Sequence, residues 1–246
     1  MSAARREAQR ALAISPTDTS GLLIAGILSR TLGRWNDAER QLRAVLVRNP
    51  LDSTAVFHLG LTYYHAGRFE DSERVYRQLL ELEESYAWAR EYLAKTVLAL
   101  GRPEEALTIV QRDADDESRL MGLPIVLQAA GRGAEADLAL KAAIDHWADR
   151  SAYSVAMTYA YRGEDDLAFE WLERAYKQKD VGLPEIVGEH PVQEYGWRSS
   201  LHGISAQDEF AQLRRDADRR FPRKSLLIPP DNRSFGINRR QRTILL

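Results

Sequence analysis

A glycine followed by an arginine returns along this chain at nearly constant intervals. It occurs in Leu32-Gly33-Arg34-Trp35, Ala66-Gly67-Arg68-Phe69, Leu100-Gly101-Arg102-Pro103 and Ala130-Gly131-Arg132-Gly133, with a related phrase at Arg162-Gly163-Glu164-Asp165. The first two glycine-to-glycine intervals are both 34 residues, and the later ones are 30 and 32. A period of this length is the mark of a stacked array, in which each repeat is one supersecondary unit unable to bury its apolar face alone. The repeated glycines therefore read as turns inside helical hairpins and not as phosphate-binding loops.

Between the turns the residues have a helical period. Trp35, Ala38, Leu42, Val45 and Leu46 fall at spacings of three and four, and Phe69, Ser72, Tyr76, Leu79 and Leu80 repeat the pattern. Small residues recur inside the hairpins. Gly26, Gly60 and Ala94 stand at one repeat position, and Ala38, Ser72 and Ala106 at another. Pro16 and Pro50 fall between units, where proline stops a helix. In these residues the sequence resembles the tetratricopeptide-repeat (TPR) family. That resemblance implies an all-α fold, a superhelix of antiparallel hairpins. The expected domains are an array over residues 1–180 and an irregular tail over 181–246. Within the array we expect a partial unit at 1–18 and complete units at about 19–52, 53–86, 87–116 and 149–180. An irregular unit fills 117–148, its first helix made least secure by Gly122-Leu123-Pro124.

Composition narrows the chemistry. The chain has 246 residues, a net charge of −2 and no cysteine, which excludes disulfides, thiolate metal sites and a cysteine nucleophile. No run of about 18 apolar residues is present, so no membrane-spanning helix is expected. The five histidines lack metal-site spacing. His58 and His65 lie seven residues apart, roughly 10 Å along a helix axis, too far to share one ion. Asp113-Ala114-Asp115-Asp116-Glu117 reads as a solvated linker that caps the next helix. No phosphate loop, dinucleotide fingerprint or nucleophile elbow occurs. No catalytic residue, metal or cofactor is expected, and the chain reads as no enzyme. The arginine pairs 214–215, 219–220 and 239–240 have few aromatic neighbours, and no nucleic-acid partner is expected.

Both ends look abnormal for an array. Ala4, Ala8, Ala11 and Leu12 suit the second helix of a unit whose first helix is missing. Either this helix is a solvent cap or the chain is the C-terminal piece of a longer protein. Residues 156–180 are similar to the last repeat of TPR tails on bacterial regulators: class III adenylate cyclases, winged-helix transcription regulators and some Ser/Thr kinases. In those tails a short closing segment follows, containing Asp-Pro-Arg-Phe or Asp-Pro-Arg-Tyr and ending near Met-Asn-Leu-Pro. Here that pattern is lost after Glu189. Read one base out of register, the codons from His190 to Gln212 permit it, followed by a stop. Residues 190–246 are therefore expected to be out-of-frame translation and poorly ordered. Leu167, Trp171 and Leu172 are expected to be partly uncovered as a result, favouring self-association.

The resemblance also implies where partners bind. First helices of successive units line a concave groove. Its positions fall on Leu23, Ile27 and Arg30, then Phe57, Leu61, Tyr64 and His65, then Trp88, Glu91 and Lys95, and finally Tyr153, Met157 and Tyr161. The lysine–asparagine clamp of chaperone-binding relatives is absent, since Leu23, Ile27 and His58 occupy its places. The expected partner is a protein or peptide, presented as an amphipathic helix or an apolar extended segment. The chain reads as an interaction scaffold, the regulatory part of a larger bacterial regulator. The alternatives are a stand-alone assembly scaffold and, behind it, an enzyme. A cytoplasmic location is expected, or a periplasmic one if the chain is part of a membrane-anchored regulator.

Overall fold

The structure, a computed structural model, describes residues 18–187. The partial unit expected at the start, the arginine pairs and the segment 190–246 expected to be out of frame lie outside the described residues. Among the described residues ten α-helices form five antiparallel hairpins. They are α1 (Thr19–Thr31) with α2 (Trp35–Arg48), α3 (Ser53–His65) with α4 (Phe69–Leu82), and α5 (Ala89–Ala99) with α6 (Pro103–Gln111). The last two pair α7 (Asp116–Ala129) with α8 (Gly133–Trp147) and α9 (Ala152–Tyr161) with α10 (Asp165–Gln178). A short 3-10 helix, Leu183–Val187, follows.

Each hairpin turns on a glycine. Gly33, Gly67, Gly101, Gly131 and Gly163 all have φ between 69° and 79°. The left-handed region is open to glycine without the penalty a Cβ brings. At the first turn Gly33 N donates to Arg30 O and Arg34 N donates to Ser29 O, so carbonyls at the end of α1 are satisfied.

The starts of the odd-numbered helices carry a second periodic signal. Asp18 caps α1 by accepting from Gly21 N at 2.7 Å, and Asp52 caps α3 by accepting from Ala55 N at 2.9 Å. The next position at that spacing is Tyr86, which cannot cap. There α5 starts late, with Trp88 at its N-cap and φ of 68°. Asp115 caps α7 by accepting from Ser118 N. The linker before α7 is not uniformly solvated, however. Asp113 is buried because its carboxylate takes Ser118 Oγ at 2.6 Å and Asp115 N at 3.2 Å.

Hairpins close through a small residue facing a larger one sixteen positions later. A Cβ on Gly26 would lie 2.8 Å from Leu42 Cγ, and one on Gly60 would lie 2.9 Å from Tyr76 Cε1 and Cζ. In the third and fifth hairpins the corresponding pairs are Ala94 with Val110 and Ala156 with Leu172, all four buried. In the fourth the position falls on Pro124, opposite Leu140. The helix expected to be least secure, α7, runs unbroken through Pro124. Proline inside a helix forgoes one backbone hydrogen bond. Burial of Pro124, Ile125, Val126 and Leu127 against neighbouring helices outweighs that loss.

The turn arginines tie adjacent hairpins on the outer face. Arg68 pairs with Glu39, Arg102 with Glu73 and Arg162 with Asp137, each an acid from the preceding hairpin. Burial alone would raise the Glu39 carboxyl. Hydrogen bonds from Tyr63, Arg43 and Arg68 more than offset this and hold it below its ordinary value. At the far end the expectation of an uncovered last hairpin is corrected for Leu172. It is buried with Ala156, Met157 and Ile186, because the chain beyond α10 folds back over α9. Leu167 stays exposed, and Trp171 is half-buried beneath the Arg174 guanidinium at 4.7 Å.

Candidate functional site

The first helices of the hairpins bring their inner residues around one concave pocket of about 550 Å³. Phe57 and Leu61 of α3, Trp88, Glu91 and Lys95 at α5, and Tyr153 of α9 all border it. These six groove residues, read from the repeat register, are brought together. Leu23, Ile27, Tyr64, Met157 and Tyr161 do not line it. Tyr64 packs in the main core against Phe69 and Tyr92, and Met157 lies in the core of the last hairpin. Leu23 leans on the core from α1, while Ile27 and Tyr161 are half-buried.

The pocket wall is aromatic and stiff. Phe57 sits among Tyr76, Tyr86 and Tyr92 with ring centroids 5.2–5.9 Å apart. Such edge and tilted contacts add to simple area burial. Lys95 Nζ lies 2.7 Å from Glu91 Oε1 and 5.0 Å from the Tyr92 ring centre. Glu91 is buried because α7 approaches closely at Gly122, where a Cβ would meet Val110 Cγ2 at 2.8 Å and Glu91 Cγ at 3.0 Å. On the opposite rim Glu117 pairs with Arg150 and accepts from Ser151 Oγ. His58, which the groove register does not include, also borders the pocket. Burial, followed by the charge on Arg30, pushes its imidazole down to about 3, so it is neutral at neutral pH.

One side of the pocket is the chain itself, at Asp180, Val181, Gly182 and Glu185, where an irregular tail is expected from 181 onward. The helix α10 ends at Lys179 in a left-handed conformation, φ 57°, and Asp180 N donates to Ala175 O at 2.9 Å. This helix stop turns the chain inward. Asp180 then accepts from Tyr153 N at 2.9 Å and from Gly182 N at 2.8 Å. Gly182 passes so close to Tyr153 that a Cβ would come within 2.6 Å of its ring. Leu183 and Ile186 join the last hairpin's core. Glu185 crosses the groove and forms a bidentate ion pair with Arg30 of the first hairpin, Nη2 to Oε1 at 2.9 Å. His65 Nδ1 is 3.8 Å from Glu185 Oε2. Arg30 is 2% exposed. The register had marked Arg30 and His65 as partner-facing; in the folded chain they face its own C-terminal segment.

Among the described residues no group of three or more His, Cys, Asp and Glu side chains is arranged to hold a metal ion. No described helix is long and apolar enough to cross a membrane. The carboxylates around the pocket are paired with cations or accept hydrogen bonds from the chain, an arrangement that fixes the shape of the wall.

Two family models, each described as tetratricopeptide repeat, match residues 25–87 and 63–119. Together with the hairpin geometry they define an all-α tetratricopeptide-repeat solenoid. TTC0263, a thermophilic TPR protein of Thermus thermophilus, shares that fold, with a TM-score of 0.55 and 21% identity over 69% of this chain and 96% of that one. YrrB, described as a TPR protein with an unusual peptide-binding site, aligns with a TM-score of 0.46 and 18% identity over 73% of this chain and 95% of its own. MamA aligns with a TM-score of 0.45 and 21% identity over 67% and 93%. At 21% identity the likeness to TTC0263 is one of fold. No curated protein sequence matches the chain.

Proposed function

We propose that this chain is a non-enzymatic interaction scaffold that takes a peptide segment of a partner protein into its concave pocket. The observation that carries this reading is the pocket itself. Aromatic side chains of the second, third and fifth hairpins (Phe57, Trp88, Tyr92 and Tyr153) converge on one pocket that is otherwise lined largely by charged side chains of both signs. A volume of about 550 Å³ lies within the roughly 300–1,000 Å³ span of ligand pockets. It suits a few side chains of an extended segment better than a whole helix, whose diameter is about 10–12 Å. Trp88 adds support. A non-glycine residue held at φ 68° costs about 1–2 kcal/mol, and such strain concentrates where a side chain must be aimed. Its indole borders the pocket while packing against two cores. The similarity of residues 156–180 to TPR tails of bacterial regulators supports a regulatory role within a larger regulator.

The test is selection of a random peptide library on the purified chain, repeated on Ser154→Trp. Ser154 is a half-buried residue on the pocket wall, so a bulky side chain fills the space. Selected peptides should lose binding to this variant while its helix content and unfolding midpoint stay at wild-type values. Peptides that bind both proteins equally would place recognition elsewhere and overturn the reading.

A further inference from the structure

We infer that residues 183–186 are a ligand held in cis, and that the partner exchanging with them is a short acidic segment. Its carboxylate would take the place of Glu185 on Arg30, with an aliphatic residue beside it. This rests on the pocket-binding reading above and adds the chemical class of the occupant.

The position of the segment is the first argument. Arg30, His65, Tyr153 and Met157 all belong to the groove register, and all four contact or pack with residues 182–186. The segment occupies the surface on which partners of such arrays lie. The second argument is selectivity. A guanidinium 2% exposed leaves no room for solvation by bulk water. Removing one partner of a buried ion pair is costly because the other charge is left without compensation. An occupant without an acid in this place would strand Arg30, whereas a carboxylate meets its planar fork with two hydrogen bonds. The apolar half of the recognition is equally specific. Ile186 is buried beside Ala152, Tyr153, Ala156 and Met157, and Leu183 leans on the same cluster.

The third argument is that the segment is built to leave. It is a five-residue 3-10 helix, a conformation with poor hydrogen-bond geometry that rarely persists alone. Val181, which leads into it, is 88% exposed. Among the described residues Glu185 pairs with Arg30 of the first hairpin and lies beside His65 of the second. Glu185 also borders the open pocket, so an incoming segment can lodge in that space and extend along the line of the displaced one. Being tethered, the cis segment competes at a high effective concentration, which lowers the apparent affinity of any partner in trans.

Fluorescence anisotropy with two labelled peptides decides the matter. One carries the sequence of residues 180–187, Asp-Val-Gly-Leu-Pro-Glu-Ile-Val. The other has Gln in place of its Glu. Full-length Glu185→Gln keeps the shape of the segment but loses its charge. It should bind the acidic peptide at least about tenfold more tightly than wild type does. It should also prefer that peptide to the Gln version by about tenfold or more. Adding Arg30→Gln should erase the preference. Hydrogen exchange at the amides of Glu185 and Ile186 should speed up in Glu185→Gln while those of α3 and α9 stay protected, showing that the segment alone has loosened. Equal binding of the two peptides would overturn the acidic assignment and leave the pocket reading standing. No gain over wild type, or no binding by any variant, would make residues 183–186 a fixed structural cap and overturn the inference. The library selection judges the pocket reading separately.

Discussion

Substituting Gly60 by alanine sets two well-calibrated effects against each other. Gly60 lies within α3, where alanine is favoured over glycine by about 0.8–1.0 kcal/mol. Packing pulls the other way. The new methyl would sit 2.9 Å from two ring atoms of Tyr76, closer than Cβ contacts occur. That ring cannot retreat. It is fully buried, stacked on Tyr92 at 6.2 Å and met by the edge of Phe57 at 5.9 Å. Overpacking of this kind costs about 1–3 kcal/mol, so Gly60→Ala is expected to destabilise by about 1 kcal/mol net. The third hairpin supplies the internal control. There the small residue is already alanine, Ala94, and its opposite number is the smaller Val110. In a Tyr76→Val background Gly60→Ala should therefore become stabilising by about 0.5–1 kcal/mol. The coupling between the two sites is then about 2 kcal/mol, the size seen for side chains in direct contact. Urea unfolding of the four proteins, followed by circular dichroism, measures it, with unchanged m-values required before midpoints are compared. Gly60→Ala at least as stable as wild type, or free-energy changes that add, would refute the crossing geometry. Gly26→Ala is a parallel test: its Cβ would lie 2.8 Å from Cγ and Cδ2 of the fully buried Leu42, so it too should destabilise in urea unfolding.

Acidification from pH 6.5 to 4.5 should destabilise the chain by about 1 kcal/mol per pH unit, a slope discounted for the half-buried ring of His58, which stays neutral when folded while an unfolded histidine takes up a proton at its ordinary value of 6.5. His58→Phe should flatten this window, as read from urea midpoints at each pH; an unchanged slope would remove His58 as the cause. The lowered carboxyls of Glu39 and Glu73 add stability present above their ordinary value of 4.5 and lost as pH falls through their folded values, so their effect appears only at more acid pH. Asp52→Ala removes the cap of α3 and should cost about 1 kcal/mol in urea unfolding. Arg102→Ala breaks a partly exposed link between the second and third hairpins and should cost less than about 1 kcal/mol by the same measurement; a larger loss would mean that the ladder of turn arginines carries more of the stacking than its exposure allows.

The hairpins were legible because their signals recur. A turn glycine, a small residue opposite a large one and a helical apolar stripe each return at the repeat spacing, and all three are local. Late starting of α5 was legible in principle, since Tyr86 stands where two preceding units have an aspartate, but only once the capping role of Asp18 and Asp52 is known. Continuity of α7 through Pro124 was not legible, because the gain from burying four neighbours depends on helices far away in sequence. The ion pair of Arg30 with Glu185 was beyond reach for the same reason in stronger form. It joins residues 155 positions apart, and it depends on how the small rotation between hairpins accumulates over the array. Nothing periodic marks Glu185. Reading the groove from register thus named six residues that border the pocket and missed the chain's own contribution to it.

An open stack of hairpins behaves as a chain of neighbours, each end free to peel independently of the other. Joining Arg30 to Glu185 turns the ribbon into a loop. The first described hairpin then loosens only if the last described one also gives way or the clasp breaks, and a disturbance at either end of the described array is felt at both. A coil spring hooked end to end resists stretching in a way that its separate turns do not, and a single carboxylate here acts as the hook.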